Sequence, residues 1–305
     1  MPRSREKVRY ATTHLMGNLK NVSPQMRECR DILYRNFSNQ IGLLLESKRP
    51  RQQHSFRGRL DTRRAYRTPF TDIVFHKNIS NPSSDTTIVM LIDGSGSMCS
   101  SIELFGKPMS RMDGCNVVCS AFCKAVNDVL GNQVKVEVFV KSSPDVMSEG
   151  VGCKDGAFVT LTRAFSNVTK HKQNPDNLMS LRPMSPIEVD GEDWGSTTPE
   201  YAIIPALVQW MKKNVQTKNI VLLNMTDGEA YSSIGATGFT FRNNENKQMR
   251  IKYLRGLSNL TLFVGRDLNR KDAEDIYGTN IVCANDDTFV NKMFGVLLKE
   301  IGASL

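Results

Sequence analysis

Residues 88–98 constrain the fold of this chain more than any other segment of it. Five apolar residues, 88–92, lead directly into Asp93-Gly94-Ser95-Gly96-Ser97. An apolar run of this length that ends in a Gly/Ser turn is typical of a strand buried on both faces of a sheet. Asp93, Ser95 and Ser97 then place one carboxylate and two hydroxyl groups on alternate residues, and the glycines permit a tight backbone path. Oxygen groups of this kind are the ligands that Mg²⁺ prefers, so the segment predicts a strand that ends in a cation site.

A second apolar run, residues 219–226, ends at Asp227. Between the two runs, residues 195–200 open a helical stretch and carry Thr197 and Thr198. Because the carboxyl ends of parallel strands meet at one edge of a sheet, we expect Asp93 and Asp227 to lie close together. A turn or helix cap would explain either aspartate alone. The pair favours a metal, since a dication offsets the repulsion between two buried carboxylates.

The remaining pattern predicts an α/β fold. We expect strands near 87–93, 134–140, 157–162, 219–226, 260–264 and 281–284. We expect helices near 22–46, 114–130, 199–214, 246–256, 270–276 and 288–302. Apolar strands that alternate with helices predict a Rossmann-like, mostly parallel central sheet flanked by helices. The long polar segments 96–113 and 166–198 are expected to be functional or mobile loops.

The order of these motifs resembles the metal-ion-dependent adhesion site (MIDAS) of von Willebrand factor A (vWA) domains. The resemblance covers residues 86–305. It implies a Mg²⁺ or Mn²⁺ ion with one coordination position open for an acidic residue of a partner protein. The ligands that it implies are Asp93, Ser95, Ser97, Thr197 and Asp227, with Thr198 as the secondary candidate for the threonine. Thr197 is preferred because it lies five residues before Ala202, the spacing that the family shows.

The sequence before the metal loop is similar to the C-terminal part of the cobaltochelatase CobT subunit and its phage-encoded relatives. The similarity rests on Arg57-Gly58-Arg59-Leu60-Asp61, an Arg-rich turn and Asp72-Ile73-Val74-Phe75. It implies an adaptor that works beside an AAA+ ATPase of the CobS or MoxR type. It leaves open whether the chain takes part in metal insertion for cobalamin biosynthesis as a non-ATPase subunit.

The excess positive charge lies in the first quarter of the chain. The net charge is +9, and residues 1–72 contain 16 Lys and Arg against six Asp and Glu. We therefore expect a basic helical N-terminal region, residues 1–80, followed by the vWA domain at 86–305. Residues 48–67 are Arg-rich, with Phe56 and Tyr66 interleaved, and could bind nucleic acid or an acidic protein. A nucleic-acid-associated or phage assembly protein, with the vWA domain as a scaffold, is the alternative function.

Several classes of protein are disfavoured by the sequence. It contains no apolar stretch of the roughly 20 residues that cross a bilayer, so no membrane contact is expected. The first residues lack a secretory signal, and the seven cysteines show no framework spacing. Both features favour the cytoplasm. The resemblance to CobT and its phage-encoded relatives implies that this is the cytoplasm of a bacterium or of a phage-infected host cell. No HExxH or phosphate-loop motif appears and the four histidines are scattered, so we expect no catalytic residues and no activity of the chain on its own. Cys115, Cys119 and Cys123 are expected to be buried on one face of a helix.

Overall fold

The fold was analysed in a computed structural model. It describes residues 7–12, 22–48, 53–55, 59–60, 75–77, 86–131, 134–142, 158–168, 173–181, 187–189, 192–194, 200–217, 219–228, 231–232, 240–241, 247–255, 257–265 and 267–283. The helices are α1 (Pro24–Lys48), α2 (Arg111–Val129), α3 (Glu200–Asn214) and α4 (Asp267–Tyr277). The described residues also form two 3₁₀ helices, Gly96–Cys99 and Pro175–Ser180, and a π-helical turn, Arg250–Leu254, which residues 247–249 precede as a short α-helical segment.

The described strands are β1 (Lys7–Thr12), β2 (Gln53–Ser55), β3 (Arg59–Leu60), β4 (Phe75–Lys77), β5 (Thr86–Asp93), β6 (Ser101–Leu104), β7 (Lys107–Ser110), β8 (Val134–Ser142), β9 (Phe158–Ser166), β10 (Ile187–Val189), β11 (Glu192–Trp194), β12 (Asn219–Thr226), β13 (Tyr231–Ser232), β14 (Thr240–Phe241), β15 (Ser258–Phe263) and β16 (Ile281–Cys283). Seven of them form the central sheet, in the order β1-β9-β8-β5-β12-β15-β16. Strands β8 and β9 are antiparallel, and the other neighbours are parallel. The predicted mostly parallel α/β sheet is confirmed.

Both faces of the sheet are covered by helices. Side chains alternate along β5, so Ile88 and Met90 belong to the core cluster that includes α1 and α2, whereas Val89 and Leu91 belong to the cluster that includes α3 and α4. Every residue of β5 is buried. This burial on both faces explains why the strand reads as a continuous apolar run rather than an alternating one.

The region before residue 80 contributes to the sheet and its core. Strand β1 pairs with β9 at the edge of the central sheet. Helix α1 packs on α2, where the rings of Phe37 and Phe122 meet edge to face with centroids 5.6 Å apart. These contacts join the predicted N-terminal region to the α/β body. The boundary between residues 80 and 86 itself stays a prediction.

The segment 96–113, expected as a loop, is ordered secondary structure. The 3₁₀ turn is followed by the hairpin of β6 and β7, and α2 begins at Arg111 rather than near 114. Ile102 and Leu104 of the hairpin are buried, which stabilises it against the helical layer. The expectation of a loop was wrong, because the hairpin's apolar residues alternate with polar ones over only four positions. A functional role for the segment stays a prediction. Part of the second expected loop, 166–198, is also ordered, as the 3₁₀ helix and the β10–β11 pair. The helix expected at 288–302 lies outside the described residues.

Candidate cation site at the strand ends

The Asp93 carboxylate is fixed at the carboxyl end of β5. It is fully buried. Its Oδ1 accepts a hydrogen bond from the Ser95 backbone N–H at 3.0 Å, and its Oδ2 accepts one from the Thr226 hydroxyl at 2.8 Å. Thr226 is the last residue of the neighbouring strand β12. The two strand ends are therefore joined directly through this carboxylate.

Two hydroxyl groups lie on the turn that follows Asp93. The Oγ atoms of Ser95 and Ser97 are 3.0 Å apart. Ser95 is buried, whereas Ser97, on the 3₁₀ turn, is partly exposed. Two neighbouring ligands of an octahedral Mg²⁺ ion lie roughly 3.0 Å apart, given Mg–O bonds of about 2.1 Å. The spacing of these oxygens fits such an ion.

Asp227 follows β12 directly and is also fully buried. Its Oδ2 accepts a hydrogen bond from Nη1 of Arg111 at 2.8 Å, and the same nitrogen lies 3.3 Å from the Ser97 carbonyl oxygen. The backbone of Asp227 is tightly enclosed: a Cβ atom on Gly265 would lie 2.2 Å from the Asp227 carbonyl oxygen. Only glycine fits at position 265 without a shift of this aspartate.

A buried polar network lies on the other side of Asp93. Lys141, at the end of β8, is the cross-strand partner of Asp93, and its Nζ lies 3.2 Å from Asp93 Oδ2. The same ammonium group contacts Glu200 and lies 3.1 Å from the Tyr277 hydroxyl, which donates to Glu200. Burial lowers the pKa of Lys141, and the Asp93 charge opposes that shift. Burial and then the Asp93 charge raise the pKa of Tyr277 well above its ordinary value.

The structure thus brings four of the predicted ligands to one sheet edge: Asp93, Ser95, Ser97 and Asp227. Thr197 and Thr198 lie outside the described residues, so the choice between them stays open. Within the described ranges, no group of three or more His, Cys, Asp or Glu side chains is arranged to hold a metal. A metal here would therefore depend on the serine hydroxyls as well as the carboxylates.

Sequence reasoning missed four residues of the site: Arg111, Lys141, Glu200 and Tyr277. A lysine at the end of a central strand was a usable signal for Lys141, because the strand ends converge at one edge. Glu200 follows the threonine segment directly and is buried at the start of α3. No signal in the sequence indicated that Arg111 or Tyr277 belongs to the site. The position of Arg111 depends on the β6–β7 hairpin, and that of Tyr277 depends on α4.

The other sequence predictions have mixed outcomes. Cys115, Cys119 and Cys123 are fully buried on α2, and burial raises the pKa of each thiol, as expected for inert core residues. Of the basic segment 48–67, the structure describes Lys48 and two short strands of the β2-β4-β3 sheet, and the nucleic-acid prediction stays untested. No described helix is long and apolar enough to cross a membrane.

Comparison with known proteins leaves the family open. No protein-family model matches the sequence, and no curated protein matches it. Among solved structures, two crystal structures of the pilus adhesin SpaC from Lactobacillus rhamnosus GG, one in an open conformation, are similar to this chain. Their sequence identities are 16% and 14%, with TM-scores of 0.43 and 0.44. Each match covers 71% of this chain and 30% of the adhesin, so the chain spans under a third of the length of these structures.

Proposed function

We propose that the chain is a Mg²⁺-binding vWA adaptor that docks an acidic residue of a partner, as the non-ATPase subunit of a CobT- or chelatase-like AAA+ complex. The observation that carries the proposal is the Ser95–Ser97 oxygen pair, 3.0 Å apart, on the turn that follows Asp93, together with the burial of Asp93 and Asp227 at adjacent strand ends. The site lies at the carboxyl ends of parallel strands, where ligands of open α/β sheets bind. The order of motifs along the chain supports the vWA assignment.

Each candidate ligand has a distinct task in this proposal. Ser95 and Ser97 supply neutral oxygens, and Ser97 borders solvent. Asp93 and Asp227 supply the negative charge, and Thr197 or Thr198 completes the set. Bound Mg²⁺ (or Mn²⁺) supplies an electrophilic position that accepts a carboxylate oxygen.

The charges of the described site support an anionic partner. Three buried carboxylates, Asp93, Asp227 and Glu200, face two buried cations, Lys141 and Arg111. One negative charge is left over when all five are ionised. A dication would change this balance to one positive charge, which a single external carboxylate would neutralise. Charge complementarity of this kind favours docking of an Asp or Glu side chain.

The test combines metal binding with partner capture. Calorimetric titration of the full chain with Mg²⁺ should give binding that Ser97→Ala weakens by roughly tenfold or more. Ser101→Ala, at an exposed position of the same segment, is the matched control and should bind like the unaltered chain. Capture of an AAA+ ATPase encoded beside this chain should require Mg²⁺ and be lost in EDTA. Capture that is indifferent both to EDTA and to Ser97→Ala would refute docking through the metal.

The alternative function, a nucleic-acid-associated or phage assembly protein, is favoured by one observation, the clustering of positive charge in residues 1–72. Deletion of this region is a poor test, because α1 belongs to the core and β1 to the central sheet. Replacement of Arg57, Arg63, Arg64 and Arg67 by serine avoids those two elements. Salt-dependent binding to DNA or RNA that these replacements abolish would support the alternative. Cytoplasmic location is part of both proposals.

A further inference from the structure

Arg111 lies between two of the candidate ligands. It is the first residue of α2 and is 4% exposed. Its Nη1 donates to Asp227 Oδ2 at 2.8 Å and lies 3.3 Å from the carbonyl oxygen of Ser97. The guanidinium group therefore occupies space directly beside the oxygens that would surround a cation.

This position is unfavourable for an arginine in two respects. The first turn of a helix carries a partial positive charge, so a cation there is disfavoured by the helix dipole. The Arg111 Nε–H is buried and has no hydrogen-bond partner within the described part of the chain. A buried donor without a partner costs free energy. The contact with Asp227 is the interaction that offsets both costs.

Lys141 and Arg111 differ in how they are held. Lys141 contacts Asp93, Glu200 and Tyr277, all deeply buried, and so belongs to the interior of the fold. Among the described residues, Arg111 pairs with one carboxylate, that of Asp227, and also contacts Ser97, the partly exposed residue of the turn. Of the two buried cations, Arg111 is the one that contacts the partly exposed turn.

We propose that Arg111 is the internal counter-ion of Asp227 and competes with the divalent cation, so that it sets the affinity of the site. The inference rests on the proposed function, because it requires a cation at these oxygens. A guanidinium group bonded to a metal-ligating carboxylate repels the incoming ion at short range in a poorly screened interior. Arg111 neutralises the charge of Asp227 in the metal-free site, which makes binding of the cation weak and reversible. Arg111 thus determines affinity and is not itself a ligand.

The test compares charge with shape at position 111. Arg111→Met removes the charge and keeps much of the apolar length, whereas Arg111→Lys keeps the charge. We expect Arg111→Met to bind Mg²⁺ roughly tenfold more tightly or better in calorimetric titration, and Arg111→Lys to bind like the unaltered chain. Without metal, Arg111→Met should unfold at a lower temperature, and Mg²⁺ should raise its Tm by more than it raises that of the unaltered chain.

A matched control exists on a different helix, α1. Arg30 is also a buried arginine paired with an aspartate, Asp176 of a 3₁₀ helix. Arg30→Met should lower the Tm without changing the response to Mg²⁺. Comparing the two variants in the same Mg²⁺ titration separates the specific effect of Arg111→Met from the general effect of losing a buried ion pair.

The outcomes distinguish this inference from the proposed function. If the unaltered chain binds Mg²⁺ and Arg111→Met leaves that binding unchanged or weakens it, the inference about Arg111 is overturned. The proposed function is not affected by that result. Binding that appears only in Arg111→Met supports it. Failure of both proteins to bind Mg²⁺, with Arg111→Met folded by circular dichroism, overturns the metal proposal and this inference with it.

Discussion

Asp93 and Lys141 are direct cross-strand partners at the carboxyl ends of β5 and β8, and both side chains are completely buried. Their ion pair, 3.2 Å long, extends to Glu200 at the start of α3 and to Tyr277 at the end of α4. One ammonium group thus holds together two strands and two helix ends. The predictions below follow from this site and from the core around it.

Lys141→Met should destabilise the protein by about 3–5 kcal/mol, because it leaves Asp93 and Glu200 buried without their cation. Chemical denaturation followed by circular dichroism would measure the loss. Arg270→Met is the control, since the Arg270–Glu274 pair is solvent-exposed and worth about 0–1 kcal/mol. Equal losses in the two variants would contradict a structural role for the Lys141 network.

Gly265→Ala should displace Asp227 and lower the free energy of unfolding by about 2 kcal/mol or more. The new Cβ would lie 2.2 Å from the Asp227 carbonyl oxygen and 2.8 Å from the Phe263 ring, so the backbone must shift. Gly42→Ala, in α1 with nothing within 4 Å of its Cβ, should instead stabilise the helix by about 0.5–1 kcal/mol. Denaturant titration of both variants measures the two opposite changes in the free energy of unfolding. A Gly265→Ala variant as stable as the unaltered chain would contradict the close contact between position 265 and Asp227.

Thiol reactivity should separate the cysteines by burial. Cys115, Cys119 and Cys123 are fully buried and the pKa of each is raised by desolvation, so little thiolate forms and reagents have no access. Cys99 is exposed on the 3₁₀ turn that follows β5. Brief iodoacetamide treatment of the native protein should label Cys99 and spare the three α2 thiols, as read by peptide mass spectrometry. Labelling of all four in urea is the control, and rapid native labelling of Cys119 would contradict the burial of this face of α2.

Glu137 should make stability depend on pH. Desolvation raises its pKa above the ordinary value of 4.5, although Arg163 and Ser166 bind the charged form. The folded protein therefore keeps this proton to a higher pH than the unfolded chain does. The contribution of Glu137 to the free energy of unfolding consequently falls as the pH rises from 4.5 through the folded-state pKa.

Glu137→Gln lacks this titration, so its stability relative to the unaltered chain should rise over that pH interval. Denaturant unfolding at a series of pH values measures the difference. Glu103→Gln, which alters an exposed carboxylate, is the control for the substitution itself. If the stability of Glu137→Gln relative to the unaltered chain falls as the pH rises, the prediction that folding raises the pKa of Glu137 is wrong.

The central strands were predictable because burial on both faces produces apolar runs, as in residues 88–92 and 219–226. Strand β1 was not, since Lys7-Val8-Arg9-Tyr10 interleaves charged residues at the edge of the sheet. The meeting of Asp93 and Asp227 followed from strand direction alone. The cations that pair with these aspartates could not be predicted in the same way. Lys141 lies beside Asp93 because of the register of β5 with β8, and Arg111 lies beside Asp227 because α2 begins directly after the β6–β7 hairpin. Local patterns carry no information on such long-range pairings.

The pairing of β1 with β9 has a consequence for synthesis of the chain. Strand β1 comes first among the described strands and its partner lies in the middle of the sequence, so the two strands cannot pair until β9 has emerged from the ribosome. Closing so long a loop is slow, because its entropy must be overcome before the contact forms. During that interval the basic strand Lys7–Thr12 is an open edge, and its charges discourage pairing with other nascent chains. Its positive charge thus gives the growing chain protection against aggregation before the sheet is complete.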